Sequence, residues 1–305
     1  MVKLLFTMEI SGRPGKGNSF FLLFPLADGN LRQFWQRNLP GSTAAGGISR
    51  ATYSRWVAKQ LYGLAWALCK LHDLHQRQVH EPGTHICSSS SSSRPKTTTT
   101  TTDDDTKSSA EDPFYGIHGD IKPENLLWYK DWVGLEHHNK EASQSRDPLG
   151  VLQLADFGIS KLHHTETRSN TMMRRSTKTY AAPESEWGVD GCSRSFDIWS
   201  LGCVFLEFIC WLVQGGEESG TDPIESFHRA RYLGKSNKSL EGTIQDTFYR
   251  ARASPLWIRS GTRFEVNPAV TKVRTKNSIF YHIIYDILET KLPLIFMSLI
   301  VGNFA

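Results

Sequence analysis

The feature that most constrains the fold is a stretch of seventeen residues, 197–213, that is apolar on nearly every side. Its charged residues are Asp197 and Glu207. A helix at the surface of a protein keeps one polar face, whereas a helix without such a face must be surrounded by other parts of the chain. We therefore predict a buried central helix over 197–213, with the remaining elements packed around it.

Other apolar segments predict the elements around this helix. Residues 52–78 predict a second helix, because leucines recur there at helical spacing. Two apolar runs, 3–10 and 19–26, flank a turn rich in glycine and proline, which is typical of a β-hairpin. The shorter predicted elements are strands at 125–129 and 150–154 and a helix over 278–291.

Long polar tracts interrupt these elements. Residues 81–112 contain six consecutive serines, six consecutive threonines and three consecutive aspartates. Such a tract cannot bury enough apolar surface to offset the entropy lost on ordering, so we predict a disordered insertion. Polar composition also predicts long loops over 130–149 and 159–180, and irregular structure over 214–275.

The composition excludes several functional classes. The 35 Lys and Arg residues exceed the 31 Asp and Glu residues by little, and a net charge of +4 is too small for a strongly basic nucleic-acid binder. The five cysteines are odd in number and form no Cys-x-x-Cys pair, so a disulfide framework is not expected. The amino terminus lacks a signal-peptide pattern, and the apolar stretch 292–305 is too short to span a bilayer. We expect a soluble intracellular protein, cytoplasmic or nuclear, that binds no nucleic acid and has no membrane span.

Two patterns suggest ligand sites, but the spacing of their residues does not fit a known site of either kind. The turn around Gly15-Lys16-Gly17 lacks the spacing of a phosphate-binding loop, and a strand rather than a helix follows it. Four histidines and a cysteine fall within sixteen residues, but their spacing fits no standard zinc module. These five residues are His72, His75, His80, His85 and Cys87.

The strongest functional signal is a set of four motifs in a fixed order. Each motif alone is weak, because short strings of this kind occur in ordinary turns and loops. Together, with these intervals between them, they are highly specific. The motifs are HGDIKPENLL at 118–127, DFG at 156–158, TKTYAAPE at 177–184 and DIWSLG at 197–202.

This set resembles the C-terminal lobe of a eukaryotic-type serine/threonine protein kinase domain. The resemblance implies an α+β fold with a mainly helical C-lobe and a remnant of the N-lobe sheet. It also implies transfer of the γ-phosphate of ATP to a Ser or Thr hydroxyl of a protein substrate, with Mg²⁺ as the metal. The oligomeric state stays open.

The resemblance assigns a role to each polar residue of the motifs. Asp120 would orient the acceptor hydroxyl and take its proton. Lys122 would lie against the γ-phosphate, and Thr177 would lie near Asp120. Asn125 and Asp156 would hold Mg²⁺, since amide and carboxylate oxygens are the hard ligands that this ion prefers.

Four further residues are implied to have structural roles. His118 and Phe157 are expected to pack in the core, and Asp197 is expected to accept hydrogen bonds from the backbone of the 118–125 loop. Glu184 is expected to pair with an arginine near the end of the chain, although no clear counterpart follows the predicted helix at 278–291.

The segment 20–31 resembles the fifth strand, the hinge and the following helix of a kinase. In that reading Leu23 is the gatekeeper, and backbone groups near Phe24 and Leu26 would bind adenine. Asp28 or Asn30 would lie near the ribose. The implied nucleotide contacts are therefore Leu23, Phe24, Leu26, Asn30 and Leu127.

The sequence also departs from the kinase pattern. Neither the glycine-rich loop, the Val-Ala-x-Lys strand nor the glutamate of the usual partner helix is found, so the chain is expected to be a kinase domain cut at both ends. Residues 1–26 would be N-lobe strands and hinge, and 27–305 the C-lobe. Gly119 replaces the arginine that receives an activation-loop phosphate. The alternative hypothesis is a catalytically inactive fragment or pseudokinase that acts as a protein-binding module.

Overall fold

The computed structural model of the chain describes twelve segments. They are residues 2, 4–12, 17–40, 48–73, 114–131, 147–158, 160–164, 177–187, 194–215, 222–233, 246–252 and 263–276. The predicted insertion at 81–112, the predicted helix at 278–291 and most of the predicted loop at 130–149 lie outside the described residues.

Helices make up about half of the described residues. The α-helices are α1 (Leu31–Arg37), α2 (Arg50–His72), α3 (Arg194–Gln214), α4 (Pro223–Leu233) and α5 (Pro268–Lys276). Short 3₁₀ helices occur at Pro123–Asn125, Lys178–Tyr180 and Pro183–Trp187. Asn30 caps α1 and Ser49 caps α2, because each side-chain oxygen accepts a hydrogen bond from a backbone amide of the first turn.

The strands form small antiparallel sheets. The strands are β1 (Phe6–Ile10), β2 (Ser19–Leu23), β3 (Gly29–Asn30), β4 (Phe114–Ile117), β5 (Leu126–Tyr129), β6 (Val151–Leu154), β7 (Lys161–His164), β8 (Tyr249–Arg252) and β9 (Arg263–Val266). Strand β5 lies between β3 and β6, and the other pairs are β1 with β2, β4 with β7 and β8 with β9. Mixed helices and small sheets confirm the predicted α+β class.

Helix α3 is the centre of the core, as its apolar sequence predicts. Its residues 201–212 are all buried, and α2 and α4 both pack against it. Aromatic rings from several elements meet at its C-terminal half: the rings of Phe34 and Trp211 lie 5.6 Å apart, and those of Trp35 and Phe208 lie 5.3 Å apart. Large rings of this kind contribute much of the buried apolar area of a core.

Helix α3 is also long and apolar enough to cross a membrane, by length and composition alone. However, 89% of its most apolar window is buried inside the protein. The core helix of a globular protein passes the same test, and among the described residues no other helix does.

The N-terminal hairpin forms as predicted but is shorter and more exposed. Phe6 pairs with Leu23 and Ile10 with Ser19, so the strands occupy 6–10 and 19–23 rather than 3–10 and 19–26. All ten strand residues are exposed, on both faces of the hairpin.

Several polar segments are more regular than their sequence indicates. The prediction of irregular structure over 214–275 is wrong, because α4, β8, β9 and α5 all lie there. The predicted loop at 159–180 begins with β7, which pairs with β4. These elements are short, and only a few buried side chains, such as Ile224 and Phe227, hold α4 in place. Their apolar periodicity is therefore too weak to detect in the sequence.

Candidate active site

The candidate site is built around Asp120, in the loop that leads into β5. Lys122 Nζ lies 2.5 Å from Asp120 Oδ2, and Thr177 Oγ1 donates to Asp120 Oδ1 at 3.0 Å. Lys122 Nζ also donates to Thr177 Oγ1 at 3.1 Å. The three residues predicted as catalytic, which are up to 57 positions apart in sequence, thus lie in direct contact.

These contacts set the ionisation of Asp120. Burial opposes ionisation of the carboxyl group, but hydrogen bonds from Lys122 and Thr177 outweigh it and lower the pKa of Asp120 below its usual value. Asp120 is therefore a carboxylate at neutral pH. Such a group accepts hydrogen bonds well but is a weak base.

Asn125 is oriented by the same carboxylate. Its Nδ2 donates to the backbone oxygen of Asp120 at 2.8 Å and to Oδ2 of Asp120 at 3.1 Å. Both amide hydrogens are thereby used, so Oδ1 is the atom of this side chain that is left for a cation. The backbone oxygen of Asn125 accepts from the Ala155 amide at 3.0 Å, which brings Asn125 beside the end of β6.

Asp156 follows that strand end with an unusual backbone conformation. Its φ angle is 64°, in the left-handed region that residues with a Cβ rarely adopt. The Gly158 amide donates to Asp156 Oδ1 at 3.3 Å, and the Asp156 side chain is exposed. Strained backbone of this kind is concentrated at functional sites.

His118 connects the loop that carries Asp120 to the end of β6, which carries Asp156. Burial lowers the pKa of His118, so its ring is neutral and has one donor and one acceptor nitrogen. Nε2 donates to the backbone oxygen of Ala155 at 2.9 Å, and Nδ1 accepts from the Asp120 amide at 3.3 Å. Because these bonds join the loop at 118–125 to the end of β6, they hold Asp120 and Asp156 in one site.

The predicted packing role fits His118 but not Phe157. The His118 ring is fully buried and contacts the Phe157 ring, with centroids 4.9 Å apart. Phe157, however, is 38% exposed, so it lies at the surface rather than in the core.

Asp197, in the first turn of α3, holds the backbone of the loop that carries Asp120. Its carboxylate accepts from the backbone amides of His118 and Gly119, each at 2.8 Å, as expected from the sequence. His72 Nε2 lies 2.9 Å from the same carboxylate. Gly119 has a φ of 83°, which glycine adopts without a steric penalty.

The residues predicted to contact nucleotide are exposed or partly buried. Leu23, Phe24 and Leu26 are exposed, Leu26 to 95%, and Leu127 is half-buried opposite Asn30 in the β3–β5 pair. Asn30 Oδ1 accepts from the Gln33 amide as the cap of α1.

Sequence reasoning missed a buried ionic cluster behind this site. Glu207 in α3 accepts hydrogen bonds from Tyr180, His228 and Arg231 at 2.8, 2.8 and 3.1 Å. Arg231 also bonds Asp246. The sequence could have indicated this cluster, because Glu207 is a charged residue within an apolar helix and a fully buried charge needs a partner. The partners themselves are distant in sequence.

Glu184 was expected to pair with an arginine. In the structure its side chain accepts a hydrogen bond from the Ser195 hydroxyl at 3.4 Å.

Comparison with known proteins identifies the fold. The family model described as the protein kinase domain matches residues 116–239, which include the 118–125 loop, Asp156 and all of α3. Residues 116–239 are part of a eukaryotic-type protein kinase domain.

The relatives of this kinase domain are serine/threonine kinases. Cyclin-dependent kinase C-2 C of Arabidopsis thaliana is 30% identical over 141 residues, which is 46% of this chain and 17% of that protein. Serine/threonine-protein kinase srk1 of Schizosaccharomyces pombe is 34% identical over 112 residues, 31% of this chain and 18% of that protein. Calcium/calmodulin-dependent protein kinase cmkA of Emericella nidulans is 35% identical over 117 residues, 38% of this chain and 24% of that protein. These relatives support a serine/threonine kinase ancestry for the matched part of the chain, and the chain spans less than a quarter of each relative's length.

Proteins with this kinase domain generally use ATP and Mg²⁺. The described residues fit that chemistry, because the amide oxygen of Asn125 and the exposed carboxylate of Asp156 are hard oxygen donors on adjoining segments. The described residues contain no group of three or more His, Cys, Asp or Glu side chains that could hold a metal. Magnesium is commonly held by one or two protein oxygens plus phosphates and water, so two donors are sufficient.

Proposed function

We propose that this chain transfers the γ-phosphate of ATP to a Ser or Thr hydroxyl of a protein substrate. The observation that carries the proposal is the joint arrangement of Asp120, Lys122, Asn125 and Thr177, linked by hydrogen bonds of 2.5–3.1 Å. When bound, Mg-ATP would supply the phosphoryl group and a positive charge that offsets the charge of the phosphates.

Asp120 orients the acceptor in this proposal. A carboxylate with a lowered pKa accepts a hydrogen bond from the acceptor hydroxyl and holds its oxygen toward the phosphoryl group. The hydroxyl proton passes to Asp120 late in the reaction, when the oxygen has become acidic enough for a weak base to take it.

Lys122 and Thr177 fix the position of that carboxylate. The Lys122 ammonium contacts both Asp120 and Thr177. In this proposal its charge would offset the negative charge that develops on the transferring group. The Thr177 hydroxyl donates a hydrogen bond to the second oxygen of the Asp120 carboxylate, Oδ1, and so limits rotation of this side chain.

Asn125 and Asp156 would hold the metal, and Leu23, Phe24, Leu26, Asn30 and Leu127 would contact the nucleotide. The exposed side of the hinge segment offers apolar contact to a base, and Leu127 faces the same sheet position as Asn30. We place the protein in the cytoplasm or nucleus, where protein substrates and Mg-ATP are both present.

The test is transfer of labelled phosphate from Mg-ATP to a generic protein substrate by the full chain. We expect Asp120→Asn to lower kcat by about 10²- to 10⁴-fold with little change in nucleotide binding, because a positioned acid–base group contributes that much. Asp156→Ala should remove measurable transfer and weaken binding of Mg-ATP, since it removes a metal ligand.

The matched control is Asp147→Asn, which changes a carboxylate paired with Lys59 on the surface of α2. It should leave kcat unchanged. If Asp120→Asn retained full activity, or if the unmodified chain transferred no phosphate, the alternative of a catalytically inactive protein-binding module would replace this proposal.

A further inference from the structure

The two carboxylates of the loop at 118–125 are already paired with cations of the chain itself. Asp120 pairs with Lys122 at 2.5 Å. Glu124, four residues further along, lies 3.4 Å from the Arg32 guanidinium of α1. Arg32 also lies 3.5 Å from Nδ1 of His228. A basic side chain of a substrate would therefore find both charges on this loop compensated.

The third carboxylate, Glu207, is enclosed. Its side chain is fully buried, Oε2 accepts from Tyr180, and Oε1 accepts from both His228 and Arg231. A substrate cation could reach Glu207 only by displacing a buried arginine that also bonds Asp246. Breaking such a buried ionic cluster is strongly unfavourable, because it leaves an unpaired charge in the interior.

Lys178 differs from these paired charges. It directly follows Thr177, whose hydroxyl touches Asp120 at 3.0 Å, and its own side chain is exposed. Among the residues that the structure describes, no carboxylate pairs with its ammonium. The nearby Glu184 accepts from the Ser195 hydroxyl, and four buried residues, 180–183, separate it from Lys178.

We infer that Lys178 selects acceptor segments that carry an aspartate or glutamate next to the phosphorylated Ser or Thr. This inference rests on the proposed function, because it takes Asp120 as the point at which the acceptor hydroxyl binds. Within the described residues, the Asp120 and Glu124 carboxylates are compensated by Lys122 and Arg32, and the exposed Asp156 carboxylate is assigned to the metal in the proposed function. Lys178 is an exposed positive charge that no described carboxylate compensates. An acidic flank gains an ion pair with Lys178, whereas a basic flank meets repulsion from Lys178.

The experiment compares three labelled peptides that share one acceptor serine and differ only in neighbours that are acidic, neutral or basic. Binding to the full chain is measured by fluorescence anisotropy, which needs no phosphate transfer. We expect the acidic peptide to bind about two- to five-fold more tightly than the neutral one, the range for one exposed ion pair, and the advantage to shrink at high salt.

Variants test the assignment to Lys178. Lys178→Met should remove the preference, and Lys178→Glu should reverse it in favour of the basic peptide. The control is Lys70→Glu, which makes the same charge change on α2, where Lys70 lies over the Trp66 ring at 4.4 Å. It should leave the preference intact.

Two results would overturn the inference: equal binding of the three peptides, or an acidic preference that persists in Lys178→Glu. Phosphate transfer separates this inference from the proposed function. Transfer without any acidic preference would overturn the inference alone. An acidic preference that follows Lys178, in a chain that transfers no phosphate, would overturn the proposed function alone.

Discussion

The N-terminal hairpin and helix α3 are similarly apolar in sequence and opposite in burial. All ten residues of β1 and β2 are exposed, with Phe20 at 70%, whereas residues 201–212 of α3 are all buried. Apolar sequence therefore does not by itself determine burial. What decides it is how many other elements contact the segment, and α3 contacts α2, α4 and β4, whereas β1 and β2 contact chiefly each other.

This difference implies that the two regions contribute unequally to stability. An isolated two-stranded hairpin is at best marginally stable in water. Buried apolar area stabilises a fold by roughly 25 cal/mol per Å², so the helical region around α3 supplies most of the free energy of unfolding.

The largest expected effect comes from a matched pair of phenylalanine truncations. Phe208→Ala, in α3 and fully buried, should lower the free energy of unfolding by about 3–5 kcal/mol because it leaves a cavity. Phe20→Ala, in the hairpin, should change it by less than about 0.5 kcal/mol. Urea denaturation followed by circular dichroism measures both. Equal losses of unfolding free energy in the two variants would show that the hairpin is covered in solution, and would contradict the difference in burial between the two regions.

A second matched pair compares two hydrogen-bonded glutamates. Glu207→Gln should cost roughly 3 kcal/mol, near the lower end for breaking a buried pair, because Asp246 still bonds Arg231. Glu9 in β1 accepts from the Asn18 side chain at the surface, and Glu9→Gln should cost less than about 0.5 kcal/mol. The same denaturation experiment measures both changes.

The pH dependence of stability tests the ionisation of Glu207. Burial opposes its ionisation, but His228 and Arg231 outweigh burial and lower the pKa of Glu207 from its usual value. A lowered pKa contributes stability that is present above the unfolded-state pKa, about 4.3, and is lost as the pH falls through the lower folded-state value. The melting temperatures of the native chain and Glu207→Gln should therefore converge in acid. A difference that widened in acid would contradict this sign.

The smallest expected effect lies at the junction of the two regions. Asn30→Ala removes the cap of α1, which joins the hinge segment to the helical body, and should cost about 1 kcal/mol. Asn30→Asp keeps an acceptor for the Gln33 amide and should restore most of that loss. If both substitutions cost the same, the cap would not be the source of the effect.

The sequence predicts the long elements of this fold better than the short ones. Helices α2 and α3 are twenty-three and twenty-one residues long, and their apolar patterns are unambiguous. Strands β4 and β7 and helix α4 were missed. Their regular structure depends on partners that are distant in the chain, and local composition does not report such partners.

In the candidate site, too, the sequence predicts what lies within one motif and misses contacts between distant residues. Asp120, Lys122 and Asn125 lie within six residues, so one motif indicates all three. The capping role of Asn30 and the bonds from Tyr180, His228 and Arg231 to Glu207 could not be predicted. These contacts depend on side-chain orientation and on residues up to twenty-seven positions away.

The hydrogen bonds to Asp197 have a consequence for how the molecule loses order. One carboxylate on the most buried helix holds the amides of His118 and Gly119, so the loop that carries Asp120 belongs to the same cooperative unit as the core. Loops that open independently of their scaffold give proteins a loosened form with an intact fold. We therefore expect the Asp120 carboxylate and the hydrophobic core to lose their order in one transition.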